Sequence, residues 1–252
     1  AHRRFDEAAA RFRRVVADVI TAARAEGKDH GDLLSTLLLA RDDDTGEGMS
    51  DAQVHDEIVT ILTAGTETTA VALAWLFHEL GQHPEIEQRF HTEIDHVLAG
   101  RTATFDDIPR LEYTQRIISE VLRKYPMLIL MRRTRTDVDL GGVHVPPGVE
   151  VAFSQYALHH DPHQYPDPER FDPDRWLPDR AAKLPRGAFI PFGAGPHHCP
   201  GYSFAETEIA IVATTVAARW RLVPVTGKPV HPRMAVTMHP HQLPMIAMPR
   251  QP

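Results

Sequence analysis

Several features that would define a function class are scarce or missing in this chain of 252 residues. A single cysteine excludes an internal disulfide framework and a zinc site built on paired cysteines. The chain has 27 basic and 34 acidic residues, and the resulting net charge of −7 argues against a nucleic-acid-coating protein. The longest unbroken apolar run, residues 70–77, is far shorter than the roughly 20 residues needed to span a bilayer. No signal peptide opens the chain, although its first residue is alanine and an upstream anchor is left open.

What is present is the composition of an ordinary globular protein. Hydrophobic residues make up 42% of the chain and charged residues 24%, with a mean hydropathy of −0.29. A chain of this length buries enough surface for a substantial core without covalent staples. We predict a single domain over residues 1–252.

Up to about residue 125 the pattern is helical and nearly free of proline. Ser50 and Gln53 are spaced as a capping box, which predicts the start of a long helix over about 51–80. This helix is apolar on most faces after Ile58, which predicts that it runs through the middle of the protein. The other predicted helices cover 3–24, 32–40, 84–99 and 112–124.

Eleven of the 21 prolines then lie between residues 146 and 200. The alternation around Gly141 and Gly142 predicts short strands, at the start of a β region and meander over about 138–191. A glycine-rich loop at 192–201, a last helix at about 202–220 and a β-like tail follow. The predicted fold class is therefore mainly α with small β-sheets.

The lone thiol, Cys199, lies in the glycine-rich loop directly before the last helix. A helix N-terminus favours negative charge, and so favours a thiolate there. Two other interpretations stay open: a buried cysteine that acts as a small hydrophobe, and a zinc site formed with His197 and His198.

Two further stretches carry candidate chemistry. Glu120 and Arg123 share a helix face, either as an exposed pair or as a buried pair, which would need a third partner such as Arg170. Glu67 and Thr68 form an acid–alcohol pair in the long helix. This pair is suited to relaying protons to a bound oxygen species, or else marks a simple helix kink.

Taken together, these stretches resemble the cytochrome P450 family of heme-thiolate monooxygenases. Its motifs appear in order as Ala-Gly-x-Glu-Thr-Thr, Glu-x-x-Arg, Pro-Glu-Arg-Phe and Phe-x-x-Gly-x-His-x-Cys-x-Gly, beginning at residues 64, 120, 168 and 192. The last motif is highly specific. The chain opens where the family is about halfway through its fold, so the resemblance implies a C-terminal portion of a bacterial-type member.

The resemblance implies a role for each matching residue. Cys199 would be the thiolate ligand of a heme b iron, and Glu67 and Thr68 would deliver protons. Other heme contacts are implied for Arg132, His197, Phe192, Ala64, Gly65, Gly193 and Gly201. A buried structural triad is implied for Glu120, Arg123 and Arg170. Substrate contacts are implied for Leu128, Ile129 and Leu130.

The implied function is insertion of one oxygen atom from O₂ into a lipophilic small molecule, such as a terpenoid, in the bacterial cytoplasm. Electrons would come from NAD(P)H through a ferredoxin reductase and a ferredoxin, which would dock on Lys183, Arg186, His197 and His198. The alternatives are a peroxide-using or rearranging heme-thiolate enzyme, a truncated and inactive fragment, and a zinc-binding module. Histidine at 197, where the family mostly has arginine, and the doublet at 132–133 leave the propionate partners open.

Overall fold

The structure is a computed structural model that describes residues 2–127, 129–235 and 237–250. Leu128, one of the predicted substrate contacts, lies outside the described residues. The chain divides into two compact units, residues 1–66 and residues 67–252. The single domain over 1–252 stays a prediction, and the units are described in turn.

The first unit is helical and has a small core of its own. Its first helices are α1 (His2–Glu26) and α2 (Leu33–Leu39). The Asp32 carboxylate accepts a hydrogen bond from the Ser35 amide at 2.8 Å, which caps the start of α2. Three fully buried side chains form the centre of the core: Val16, Ile20 and Val54.

The longest helix, α3 (Asp51–Gln82), begins in the first unit and ends in the second. The Ser50 amide donates to Gln53 Oε1 at 2.9 Å and the Gln53 amide donates to Ser50 Oγ at 3.3 Å, so the capping box forms. The helix runs unbroken through residues 64–69. The Thr66 hydroxyl there donates to the Leu62 carbonyl at 2.7 Å.

Residues 60–67 of α3 are exposed in this chain, so the expectation that the helix runs through the middle of the protein beyond Ile58 stays a prediction. Ile61 and Leu62 keep 37% and 45% of their surface. After these exposed residues, buried positions resume at Thr69, and by Trp75 the helix lies in the core of the second unit. Apolar periodicity shows which residues a helix can bury, but it does not show how much of the chain covers them.

By length and composition, α3 would also be long and apolar enough to cross a membrane. Its last three turns, however, have the environment of a core helix. The Trp75 indole donates to the Met238 carbonyl at 2.8 Å, and the Glu79 carboxylate is buried beside Lys124 at 2.8 Å. These two buried polar groups of α3 are therefore hydrogen-bonded or ion-paired within the protein.

The second unit adds five α-helices within the described residues. They are α4 (Pro84–Leu98), α5 (Glu112–Lys124), α6 (Gln155–His159), α7 (Pro178–Ala181) and α8 (Tyr202–Arg219). Side chains from α3, α4, α5 and α8 share one core, whose most buried members include Leu76, Phe90, Leu98, Ile117 and Ala213. This core is the support on which the remaining loops rest.

The strands of the described residues form four two-stranded antiparallel sheets. Strand β1 (Ile129–Arg133) pairs with β4 (Glu150–Ser154), and β2 (Val138–Leu140) with β3 (Val143–Val145). Strand β5 (Trp220–Pro224) pairs with β8 (Met245–Pro249), and β6 (Pro232–Met234) with β7 (Met238–Pro240). The β2–β3 turn is made by Gly141 and Gly142, both at positive φ, as a tight hairpin requires. The predicted class, mainly α with small β-sheets, is confirmed.

Candidate functional site

The cysteine loop, residues 192–201, owes its shape to glycine. Gly193 and Gly195 adopt φ of +77° and +69°, a region that residues with a Cβ rarely enter. The loop closes on itself, because the Cys199 amide donates to the Phe192 carbonyl at 2.9 Å and the His198 amide to the Gly195 carbonyl at 3.1 Å. These two hydrogen bonds fix the conformation of the backbone that carries the thiol.

Cys199 lies at the start of α8 and is half-buried. Gly201 is the N-cap of that helix, and a Cβ at this position would lie 3.9 Å from the sulfur, so the thiol sits against the helix start. A helix N-terminus presents backbone amides and the positive end of the helix dipole. The rings of Phe192, His198 and Tyr202, from the loop and the first residue of α8, lie close to one another, with His198 and Tyr202 edge to face at 4.9 Å.

Strand β1 runs beside the cysteine loop. The Leu130 side chain lies 3.9 Å from the position of a Cβ on Gly193. Because strand side chains alternate, Arg132 projects from the same face as Leu130, whereas Ile129 projects from the other. Arg132 is exposed, and its guanidinium donates to the Met131 carbonyl at 2.7 Å. His197, the other predicted propionate partner, is exposed on the loop itself.

Cys199 is suited to a metal ion whose other ligands come mostly from a cofactor and not from the protein. Within 2–127, 129–235 and 237–250, no group of three or more histidine, cysteine or acidic side chains converges on one point. A zinc site formed by Cys199, His197 and His198 is therefore not supported. One thiolate is, however, the complete protein contribution that a porphyrin-bound iron needs on its proximal side. The residues present fit heme.

The Glu120–Arg123 pair is fully buried, with no exposed side-chain surface on either residue. The guanidinium donates twice to the carboxylate, from Nε to Oε2 at 2.9 Å and from Nη2 to Oε1 at 2.8 Å. Of the two readings that the sequence left open, the structure shows the buried pair. A buried pair needs further partners to satisfy the remaining atoms of both groups.

The third charged partner of that pair is Arg175, which corrects the prediction of Arg170. Arg175 Nε lies 3.3 Å from Glu120 Oε1, and the Trp176 indole donates to Glu120 Oε2 at 3.0 Å. The Arg170 side chain is exposed, and only its carbonyl takes part, accepting from Arg123 at 3.4 Å. The reason is that the 3-10 turn Pro173–Trp176 packs against α5.

The sequence did contain a signal for Arg175. The pattern Pro-acidic-Arg-aromatic occurs twice, as Pro-Glu-Arg-Phe at 168–171 and as Pro-Asp-Arg-Trp at 173–176. Sequence reasoning took the first copy because it matches the motif literally. In the structure the second copy faces Glu120, and its tryptophan supplies a donor that phenylalanine lacks.

A chain of hydrogen bonds joins the buried pair to the cysteine loop. Arg123 Nη1 donates to the His159 carbonyl at 3.0 Å, and the His159 ring accepts from the Ile190 amide at 3.1 Å. The Ile190 carbonyl in turn accepts from the Gly193 amide at 3.0 Å. His159 is fully buried, and burial together with the Arg123 charge lowers its pKa to about 4, which keeps the ring neutral as an acceptor. Nothing in the sequence singled out His159.

The acid–alcohol pair lies in α3. Glu67 is exposed, and its Oε1 accepts a hydrogen bond from the Thr237 hydroxyl at 2.7 Å, while Thr68 is half-buried. Thr237 itself is buried, in the turn between β6 and β7. Ala64 and Gly65 precede Glu67 on the same helix and are exposed, and a Cβ at Gly65 would meet no neighbouring atom within 4 Å. Thr237 is a second residue that sequence reasoning missed.

A model of the cytochrome P450 family matches residues 1–247. The chain belongs to the cytochrome P450 family. The predicted family is thus confirmed.

Three curated P450 relatives come from Streptomyces. The chain is 52% identical over 250 residues to cyclooctat-9-en-7-ol 5-monooxygenase of Streptomyces melanosporofaciens, covering 99% of this chain and 54% of that protein. It is 45% identical over 252 residues to cyclooctatin synthase of the same organism, covering 99% and 55%. It is 44% identical over 230 residues to pentalenene oxygenase of Streptomyces avermitilis, covering 90% and 51%. The chain thus spans about half the length of the curated relatives it matches.

Solved P450 structures have the same fold over nearly the whole chain. One crystal structure of a cytochrome P450 superposes with a TM-score of 0.91 at 28% identity, covering 99% of this chain and 58% of that one. The heme domain of cytochrome P450DA gives a TM-score of 0.91 at 30% identity, covering 96% and 55%. The fold is therefore that of P450 heme domains, over about half of their length.

Proposed function

We propose that this P450 chain is the cysteine-bearing part of a heme-dependent monooxygenase. The observation that carries the proposal is the half-buried thiol of Cys199, held at the start of α8 in a glycine loop. A heme iron with a thiolate ligand supplies the activation of O₂. The reaction is R–H + O₂ + NAD(P)H + H⁺ → R–OH + NAD(P)⁺ + H₂O, in which one oxygen atom enters the substrate and the other leaves as water.

The residues of the chain divide into those that bind heme and those that handle protons. Cys199 would bind the iron, Arg132 and His197 would pair with the propionates, and Phe192 would shield the sulfur. Gly193 and Gly201 would let the loop approach the porphyrin, and Ala64 and Gly65 would leave room for O₂. Glu67 would take up protons and pass them on through Thr68, since a carboxylic acid beside a hydroxyl is a short proton relay.

We further propose a terpenoid-like, lipophilic substrate. The support is the printed names of the relatives, which include cyclooctat-9-en-7-ol 5-monooxygenase and pentalenene oxygenase. Leu130 is the apolar side chain of β1 on the cysteine-loop side, and Ile129 faces the other way. The proposed substrate contacts at Leu130 and Ile129 therefore lie on opposite faces of the strand.

The electron donor in this proposal is an acidic ferredoxin, reduced from NAD(P)H by its reductase, in the bacterial cytoplasm. Lys183, Arg186, His197 and His198 are all exposed, and two of them belong to the cysteine loop. Positive charge there would steer an acidic partner toward the sulfur side of the heme. A peroxide-using enzyme would not need this surface.

The test is the absorption spectrum of the protein that contains this chain, loaded with hemin, reduced with dithionite and exposed to carbon monoxide. A red-shifted Soret band that disappears in Cys199→Ser and persists in Tyr202→Phe is the expected result. Tyr202→Phe is the matched control, because it alters a ring beside the loop and leaves the thiol in place. The same unshifted band in wild type and Cys199→Ser would overturn the ligand assignment.

A further inference from the structure

The turn between β6 and β7 is hydrogen-bonded to the rest of the second unit at three points. The Thr237 hydroxyl donates to Glu67 on α3 at 2.7 Å, and the Met238 carbonyl accepts from the Trp75 indole at 2.8 Å. On its other side, the Met238 amide donates to the Met127 carbonyl at 3.3 Å. The turn is thus fixed to α3 at two points and to the end of the α5 region at a third.

Thr237 and Glu67 differ in exposure, and this difference indicates which of the two residues fixes the position of the other. Thr237 is 1% exposed and cannot move without disturbing the turn, whereas Glu67 is exposed. An exposed glutamate populates several rotamers, and one hydrogen bond to a fixed donor selects among them. Among the described residues, Thr237 is the hydrogen-bond partner found for the Glu67 carboxylate. The turn therefore positions the carboxylate, and the carboxylate does not position the turn.

We propose that Thr237 is a positioning residue that holds the Glu67 carboxylate in the orientation used for proton transfer. This rests on the proposed function, in which Glu67 takes up the protons that accompany the two electrons per O₂. With Oε1 occupied by the Thr237 hydroxyl, the proton is carried on Oε2, so the bond also selects which oxygen exchanges protons. Thr237 itself neither gains nor loses a proton.

The chain offers a matched control for this bond. Thr114 is also fully buried, and its hydroxyl also donates to a glutamate carboxylate, Glu93 Oε2, at 2.7 Å. This second pair joins α4 to α5, and Glu93 is fixed there by the backbone amides of Tyr113 and Thr114 as well. Thr114→Val therefore removes the same kind of bond from a glutamate that has no proposed part in the reaction.

The experiment compares Thr237→Val, Thr237→Ser and Thr114→Val in the heme-loaded protein that contains this chain. The readout is product formed per NAD(P)H consumed. Loss of one hydrogen bond lowers the population of the held rotamer by about two- to ten-fold, so Thr237→Val should lower this ratio by up to the same factor. Thr237→Ser, which keeps the hydroxyl, should restore it, and Thr114→Val should leave it at the wild-type value.

A second readout does not depend on turnover. Glu67→Ala, Thr237→Val and the double variant are compared by urea unfolding, and their effects on the unfolding constant should be non-additive by about two- to ten-fold. Additive effects would mean that the bond is not made, which overturns the proposal. A non-additive cycle with unchanged coupling in Thr237→Val would also overturn it, since the bond would then be structural only.

These results separate the inference from the proposed function. If Cys199→Ser retains the wild-type carbon monoxide spectrum, the proposed function fails and with it the basis for this inference. If that spectrum behaves as expected and Glu67→Gln uncouples turnover while Thr237→Val does not, only the role of Thr237 is wrong.

Discussion

Two glutamates of the second unit, Glu120 and Glu67, occupy opposite kinds of environment. Glu120 is fully buried, and its two oxygens accept hydrogen bonds from Arg123, Arg175, Trp176 and a backbone amide. Glu67 is exposed and accepts a hydrogen bond from Thr237. A carboxylate whose oxygens are all occupied by donors is held in one place, so Glu120 supports structure. A carboxylate with a single anchor keeps its other oxygen open to further partners.

The largest expected effect is the loss of stability when the buried pair of Glu120 and Arg123 is disrupted. Glu120→Gln or Arg123→Lys should lower the free energy of unfolding by about 3–5 kcal/mol, because each leaves a buried charge without its full partner set. Urea unfolding of the protein that contains this chain measures the change. Near-neutral effects at both positions would contradict the buried pair.

The two Pro-acidic-Arg-aromatic copies supply the control for that experiment. Arg175→Lys loses the fixed fork that reaches Glu120 and the Asp167 carbonyl, so it should destabilise clearly. Arg170→Lys changes an exposed side chain whose contribution is its carbonyl, and should stay within about 0.5 kcal/mol of wild type. Equal effects at the two arginines would show that the assignment of Arg175 is mistaken.

A smaller effect is expected from His159, which links the buried pair to the cysteine loop. Its pKa is about 4 in the folded protein, against an ordinary value of 6.5, because burial and the Arg123 charge oppose protonation. Between these values the unfolded chain binds the extra proton, so stability should rise with pH from about 4 to 6.5 and level off above. The free energy of unfolding should therefore change by about 3 kcal/mol across this pH range, at 1.36 kcal/mol per pKa unit.

The measurement is urea unfolding from pH 4 to 7.5 for wild type and His159→Gln. Glutamine keeps an acceptor for the Ile190 amide but does not titrate, so the variant's pH dependence should be flatter over this window. The exposed His163→Gln serves as the matched control and should leave the wild-type curve unchanged. Parallel curves for wild type and His159→Gln would contradict the buried neutral ring.

Sequence patterns were sufficient for local structure and for the family, but not for long-range partners. The capping box at Ser50, the glycines around Cys199 and the spacing of Glu120 and Arg123 act over a few residues, and the structure contains each. His159 and Thr237 could not be predicted in the same way. Each is brought to its partner by the fold across 36 residues (to Arg123) and 170 residues (to Glu67) of chain, and neither has a distinctive neighbourhood.

The substitution with the smallest expected effect on stability, at Glu67, tests the comparison of the two glutamates most directly. Glu67→Gln keeps an Oε1 that can accept from Thr237, and the side chain is exposed, so the free energy of unfolding should change by less than about 0.5 kcal/mol. The amide cannot carry the proton, however, so product formed per NAD(P)H consumed should fall, with reducing equivalents lost without product. Glu120→Gln is the matched substitution and should show the reverse order of effects: a large loss of stability, with unchanged coupling in the fraction that folds. If Glu67→Gln unfolded the protein or left coupling intact, the division between a structural and a proton-carrying glutamate would be wrong.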